Sequence, residues 1–339
     1  MPTQGAHHEN RGPAADLETL AEEILERVGS WCEPLSPVIR FLLQNPGKRL
    51  RSRLLCLAAQ MIGRPAPRLR EAAALVELLH NGSLLHDDVM DHASVRRNRP
   101  TVNCLWGDAV AILAGDLLLA GVMDLALKTG HPGVPQAAVH SLADLVAGQM
   151  EEIRNHGNLL MGEAEYLTLV AKKTGSLFAF SCRTGAWLTR GTPEQARSLE
   201  NFGASFGLAF QLMDDLLDYV GRPEHTGKEQ GRDLAERKVT LPVLTAFAAS
   251  PARERKRIRD IFESGNRKSR LRELKAILEA QGGFSYTLWK ARASAEEALG
   301  FLTLFPPSEP RREMERIARA VPAQIDRPEG LLERALSPL

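Results

Sequence analysis

Leu208-Ala-Phe-Gln-Leu-Met-Asp-Asp-Leu-Leu-Asp218 decides how this chain folds. Its apolar residues recur at helical spacing, within a longer run from Pro193 to Val220. Aspartate is a weak helix former, and two adjacent ones inside an apolar run are worse. The pattern nevertheless returns in Ser83-Leu-Leu-His-Asp-Asp-Val-Met-Asp91. On a helix, Asp87, Asp88 and Asp91 share one stripe, as do Asp214, Asp215 and Asp218, and like charges at that spacing repel. Something positive must occupy the gap, because the flanking residues are too apolar for two solvated acidic faces. Carboxylates without His or Cys companions point to a hard cation. Mg²⁺ is favoured over Ca²⁺ where phosphates complete its octahedron, with Mn²⁺ as a substitute.

Outward from these two stretches, Leu17 to Val28, Ala72 to Asp91, Ala109 to Leu127, Gln136 to Arg154, Gly162 to Leu188 and Pro242 to Ala248 also carry helical periodicity. Breakers separate them, among them Pro46-Gly47, Gly130-His-Pro-Gly133 and Gly191-Thr-Pro193. Thr192 before Pro193 reads as an N-cap with proline at the first helical position. Period-2 alternation over strand length is hard to find, so the fold class expected is all-α. Helices apolar on more than one face, such as Ala109 to Leu119, belong inside a large bundle. One domain is expected over 17–339, behind a mobile tail over 1–16.

The chain has 339 residues and a formal net charge of +1, which argues against nucleic acid as an obligate partner. Four cysteines with no CxxC pairing suggest neither a zinc site nor a disulfide framework and fit a reducing cytoplasm. The polar start of the chain lacks the layout of a signal peptide. No apolar stretch reaches a membrane span, since Asp116 and Asp124 interrupt the most apolar one. The Arg- and Lys-rich segment Arg253 to Lys275 reads as a solvated amphipathic face, so membrane contact is at most peripheral.

If phosphates meet the metals, cations should be near. Lys48 and Arg51 sit three apart at the start of a helical stretch. Arg96 and Arg97 follow the first triplet, Lys173-Thr174 lies mid-chain, and Lys228 and Lys238 follow the second triplet. Arginine suits bidentate phosphate capture and lysine serves as a point charge.

Taken in order, Gly47-Lys-Arg-Leu-Arg51, Leu84-Leu-His-Asp-Asp-Val-Met-Asp91, Arg96-Arg-Asn-Arg-Pro-Thr101, Gly115-Asp116, Lys173-Thr174, Gly207 to Asp218, Gly227-Lys228 and Lys238-Val-Thr-Leu-Pro242 resemble the trans-isoprenyl (polyprenyl) diphosphate synthases. The resemblance implies a helical bundle of the isoprenoid synthase type with a deep central cavity. It also implies a homodimer and a prenyl transfer from an allylic diphosphate (geranyl, farnesyl or geranylgeranyl) to isopentenyl diphosphate. Lys48, Arg51, His80 and Arg97 would hold isopentenyl diphosphate. Asp87, Asp91 and Asp214 would bind the metal ions, with Asp88, Asp215 and Asp218 completing or orienting those shells. Arg96, Lys173, Lys228 and Lys238 would neutralise the allylic diphosphate, with Thr174 and Gln211 beside the reacting carbon. Three positions depart from the usual pattern: Ser52 stands where proline is common, and Asn98 and Arg237 replace glycines.

The growing product should run from Asp87 along its own helix, past Ser83 and Gly82. Bulky aromatics near these positions go with short products in the resembling family. Small residues here imply a medium- or long-chain, octaprenyl-like product, with a farnesyl or geranylgeranyl diphosphate synthase as the alternative. A terpene cyclase normally lacks the second triplet and has no use for the Lys48/Arg51/His80 site. A non-catalytic synthase subunit typically loses the acidic motifs, and both are present here.

Overall fold

A computed structural model describes residues 28–325 except 45, 46, 65, 67 and 222–229. Its helices are α1 (Ser36–Leu43), α2 (Leu50–Ile62), α3 (Leu69–Met90), α4 (Val102–Trp106), α5 (Asp108–Lys128), α6 (Gly133–Arg154), α7 (Glu163–Val170), α8 (Ser176–Leu188), α9 (Pro193–Val220), α10 (Arg232–Ala235), α11 (Leu241–Ala249), α12 (Ala252–Glu263), α13 (Leu271–Ala280), α14 (Gly283–Phe301) and α15 (Glu309–Ala323). The fold is all-α. The expected helix over Leu17 to Val28 and the tail over 1–16 lie outside the described residues, apart from Val28.

The helix boundaries follow local chemistry. Thr192 Oγ1 accepts the Gln195 amide at 3.2 Å while Gln195 Oε1 accepts the Thr192 amide at 2.9 Å. This reciprocal capping box, with Pro193 at the first helical position, starts α9 where the sequence indicates. Its 28 residues span about 42 Å, enough to cross a domain from rim to floor.

Two buried clusters meet along α2 and α8. Leu54, Phe178 and Cys182 belong to one, with α9, α14 and α15; Leu55, Leu177 and Phe180 belong to the other, with α3, α5 and α6. Between them lies a cavity of about 1840 Å³, lined from one side by Leu169, Val170 and Met213 and from the other by Leu119, Leu142 and Leu177.

Two sequence expectations are corrected, and one short element joins them. The run Gly162 to Leu188 is not one regular helix, because a single π-helical turn, Ala171–Gly175, interrupts it between α7 and α8. A two-stranded hairpin, β1 (Val95–Arg96) and β2 (Arg99–Pro100), follows the first triplet and is too short for alternation to register. Finally, α5 is long and apolar enough to cross a membrane by composition despite Asp116 and Asp124. In this fold it is a core helix: Ala111, Ala114, Leu118, Val122 and Leu125 are buried, and the helix packs along α3.

Candidate active site

The last turn of α3 carries the first triplet, and its members separate. Asp87 and Asp91 line the cavity, whereas Asp88 is buried and its Oδ1 accepts Arg96 Nε at 2.8 Å and Nη2 at 2.7 Å. Arg96 thus meets the carboxylate that most needs a counter-charge. The Asp87 carboxyl is raised above its ordinary value, mainly by burial and despite the nearby Lys173. Asp91 moves the other way: burial would raise it, but the charge and hydrogen bond of Lys238, with Lys173 and Arg232, leave it lowered.

On α9, Asp214, Asp215 and Asp218 all line the cavity. Asp215 is buried, accepts Gln211 Nε2 at 2.7 Å on one oxygen and takes the Tyr166 hydroxyl on the other. Thr174 Oγ1 donates to Gln211 Oε1 at 2.8 Å, so Thr174, Gln211, Asp215 and Tyr166 form one hydrogen-bonded chain. Burial pushes the Asp215 carboxyl up to about 7; the Tyr166 and Gln211 hydrogen bonds oppose this, and the charges of Asp214 and Glu152 add to it. Asp218 has a different task. Its two oxygens accept the amides of Arg232 (3.1 Å) and Asp233 (3.2 Å), capping α10 and fixing the segment that leads to Lys238.

Lys238, on the segment that follows the second triplet, reaches the end of the first. Its Nζ lies 2.7 Å from Glu236 Oε2, 3.1 Å from Asp91 Oδ2 and 3.5 Å from Glu152 Oε1. Lys173 Nζ reaches the same Glu152 oxygen at 2.6 Å. Lys173 and Thr174 sit on the π-helical turn, a local widening that recurs at functional sites. That turn is approached closely by Gly148 of α6, where a Cβ would lie 2.7 Å from the Lys173 amide nitrogen.

Sequence reasoning missed Glu152, Gln149, Tyr166 and Asp233, all of which line the cavity. Gln149 is buried with an unpartnered Oε1. The available signals were the mid-helix Gly148 before Gln149 and a second acidic position beside Glu151; tyrosine carries no such mark.

A basic subsite forms at another part of the wall. Lys48, Arg51, His80 and Arg97 all line the cavity. Arg51 Nη1 lies 3.2 Å from His80 Nε2, and its guanidinium sits 4.4 Å from the centroid of the Phe178 ring. His80 is held well below its ordinary value by burial and then by Arg51, Arg97 and Arg96, so its neutral ring accepts from Arg51. Arg97 and Asn98 have φ of 52° and 59°, the two left-handed residues of a tight hairpin turn. That turn carries the Arg97 guanidinium over Gly47, where a Cβ would collide with it at 2.4 Å. Lys228 lies outside the described residues.

The two chain-length positions sit differently. Ser83 lines the cavity, but Gly82 does not. A Cβ on Gly82 would meet the Gly115 carbonyl oxygen and Leu119 at 3.4 Å and Leu118 at 3.5 Å, so this position faces the α3–α5 contact, where a methyl group would fit at ordinary van der Waals distance. One residue along a helix turns the side chain by about 100°, enough to move it from cavity to interface.

A family profile described as Polyprenyl synthetase matches residues 32–280. The chain is 31% identical over 294 residues to an octaprenyl diphosphate synthase of Haemophilus influenzae, covering 87% of this chain and 89% of that one. Its fold is similar to the crystal structure of a decaprenyl diphosphate synthase from Rhodobacter capsulatus, with a TM-score of 0.87 and 32% identity over 92% of this chain and 97% of the other. A polyprenyl synthase from Caulobacter crescentus, solved in complex with calcium and isoprenyl diphosphate, gives a TM-score of 0.86 at 30% identity, over 91% and 95% of the two chains.

Proposed function

This chain belongs to the polyprenyl synthetase family, and from that premise we propose that it condenses isopentenyl diphosphate with a geranyl, farnesyl or geranylgeranyl diphosphate. The product is an all-trans polyprenyl diphosphate of medium or long chain. One observation carries the reading: two carboxylate groups and a separate cationic subsite open into the same cavity, whose further walls are apolar. A cyclase has one diphosphate to bind and no use for a second basic subsite. A non-catalytic subunit has no use for two sets of cavity-lining aspartates.

The donor chemistry fits Mg²⁺ or Mn²⁺. Asp87, Asp91 and Asp214 offer only oxygen, and among the described residues no three such groups are close enough to hold an ion unaided. That suits an ion taking one or two protein carboxylates and completing its shell with phosphate oxygens. Bound there, the metal would supply Lewis-acid stabilisation of charge on the departing diphosphate.

The protein's own groups do the rest. Lys173, Lys238 and Arg96 add positive charge beside the allylic diphosphate as its C–O bond breaks and the electron pair leaves with it. Lys48, Arg51, His80 and Arg97 hold the second diphosphate so that the isopentenyl double bond faces the electron-poor allylic carbon and forms the new C–C bond. The released diphosphate takes the proton that restores a double bond. Thr174 and Gln211, locked to Asp215, present oxygen near the reacting carbon. Leu142, Leu177 and Phe210 keep water from it.

A homodimer is part of the proposal. Val139, Ala143, Val146, Met150 and Ile153 of α6 are exposed at alternating four- and three-residue steps, the spacing of a helix-packing seam. All four cysteines are free thiols, in keeping with a reducing cytoplasm.

The test is incubation with isopentenyl and farnesyl diphosphates and Mg²⁺, with product analysis by mass. Chain elongation supports the reading. A cyclic hydrocarbon would replace it with the cyclase, and turnover only with a second protein with the subunit. Asp87→Ala should lower turnover by orders of magnitude while folding is retained, and full activity in that variant would sink the assignment.

A further inference from the structure

Glu77 is buried at 6% exposure, lines the cavity, and sits one turn before His80 on α3. A buried carboxylate beside a diphosphate subsite is at first sight a fault, since it repels the ligand. Its contacts explain its presence. Glu77 Oε1 accepts Ser52 Oγ at 2.7 Å and the Ser52 amide at 3.3 Å. Ser52 is fully buried in the first turn of α2, where amide hydrogens lack intrahelical acceptors and a negative charge is favoured. Glu77 therefore clamps the first turn of α2 to the middle of α3.

The clamp holds two pieces of the basic subsite in register. Arg51, next to Ser52, is set against His80, which lies on the same face of α3 as Glu77. The carboxylate also supplies charge. Arg51 is lowered to about 10 mainly by burial, and Glu77 works against that fall; Glu77 opposes the lowering of Arg97 in the same way. One buried anion thus offsets, at a distance, the mutual repulsion of two half-buried guanidinium groups. Arg51 Nε is buried without a hydrogen-bond partner, so its remaining contacts, His80 and the Phe178 face, hold it less firmly than a full set would.

Serine at 52 is one of the departures noted in the sequence. Proline there has neither an amide hydrogen nor a hydroxyl, so neither bond to Glu77 could form.

We propose that Glu77, fixed by Ser52, is a positioning residue of the basic subsite. It sets the affinity for isopentenyl diphosphate by holding Arg51 aimed against His80, without touching the substrate. This rests on the function proposed above. The cost of its own repulsion is outweighed because the diphosphate meets several cations first, and those cations are ordered only while the clamp holds.

The experiment is steady-state elongation on the full chain, varying each substrate in turn, for the wild type, Glu77→Gln, Glu77→Asp and Ser52→Ala. Glu77→Gln should raise KM for isopentenyl diphosphate about tenfold, the scale of one charge-assisted hydrogen bond, while kcat and KM for the allylic substrate stay within about twofold. Glu77→Asp keeps the charge and should recover part of the loss. Ser52→Ala removes one of the two bonds, and a smaller shift of the same sign keeps the proposal testable if Glu77→Gln folds poorly. Equal changes in both KM values, no change, or a fall in KM for isopentenyl diphosphate would each overturn it. A wild type that elongates nothing would fail the functional reading instead, and the two failures are told apart in the first assay.

Discussion

Lys238 Nζ lies 3.1 Å from Asp91 Oδ2, although the two residues are 147 positions apart in sequence. The contact ties the segment after the second triplet to the end of the first, and Glu152 and Glu236 share the same ammonium. Burial would lower the Lys238 pKa, but the three carboxylates raise it instead. Lys238→Met leaves Glu152 to Lys173 and leaves Glu236 and Asp91 to Arg232, so the protein should lose about 1–2 kcal/mol of stability. Turnover should fall by about a hundredfold, the scale of losing one preorganised electrostatic group. Thermal melting with and without Mg²⁺ checks the cause, because added cation should recover part of the loss. A variant that melts like the wild type and gains nothing from Mg²⁺ would remove Lys238 from this role.

Asp215 gives a prediction with a defined pH window. Its folded pKa is raised from 3.8 to about 7, chiefly by burial. The folded protein therefore binds more protons than the unfolded chain between those values, and stability falls as pH rises through that window. Asp215→Asn removes this penalty. Its amide can keep both hydrogen bonds if Gln211 flips, with the Thr174 hydroxyl then accepting. The variant should be more stable than the wild type by about 2 kcal/mol at pH 8, no more stable below pH ~4, and slower in turnover. Urea midpoints at the two pH values decide it: an equal change at both would show that the charge is not the cause.

Much of the site could be read before the fold was seen, and the reason is chemical. Aspartates inside apolar helices have to be explained, so Asp87, Asp91 and Asp214 stood out and do line one cavity. The same reasoning treated each triplet as a single charged stripe. In three dimensions Asp88 turns to Arg96, Asp215 to Tyr166 and Gln211, and Asp218 to the amides of α10. Helical spacing gives the face to within a turn; it does not say which neighbour takes which oxygen. Glu152 and Glu77 were hidden for the opposite reason, since single glutamates on amphipathic helices are commonplace. Arg237 falls between these cases. Its replacement of a glycine marked the loop as unusual, and it has a φ of 60°, with its guanidinium lying against Gly157.

The exposed seam on α6 predicts assembly. Val139 is 49% exposed on the part of this seam away from the cavity, whereas Val146, Met150 and Ile153 also border the cavity. A charge at that point would be buried unpaired if a second copy packs there. Val139→Arg should therefore give a monomer in light scattering where the wild type gives a dimer. A variant that stays dimeric would place the interface on another face.

Product length should follow the cavity wall and not the helix interface. Ser83 borders the cavity, and its hydroxyl is spent locally on the His80 carbonyl, so its side chain can be enlarged toward open space. Ser83→Phe should shorten the dominant product by several isoprene units, because the ring fills the space the growing chain would enter next. Gly82 makes a contrasting control. A methyl group there makes ordinary contact with Leu119 and the Gly115 carbonyl, so Gly82→Ala should leave product length nearly unchanged. A phenyl ring at 82 has no cavity to enter and should cost stability by about 1–3 kcal/mol through overpacking of α3 on α5. Leu119 joins the two effects, since it touches the Gly82 position and also lines the cavity. Leu119→Ala should lengthen the product by opening that wall. Mass analysis of the four variants separates the cavity from the interface: if Gly82→Ala shortens the product as much as Ser83→Phe does, length is set by the α3–α5 spacing and this account of the wall is wrong.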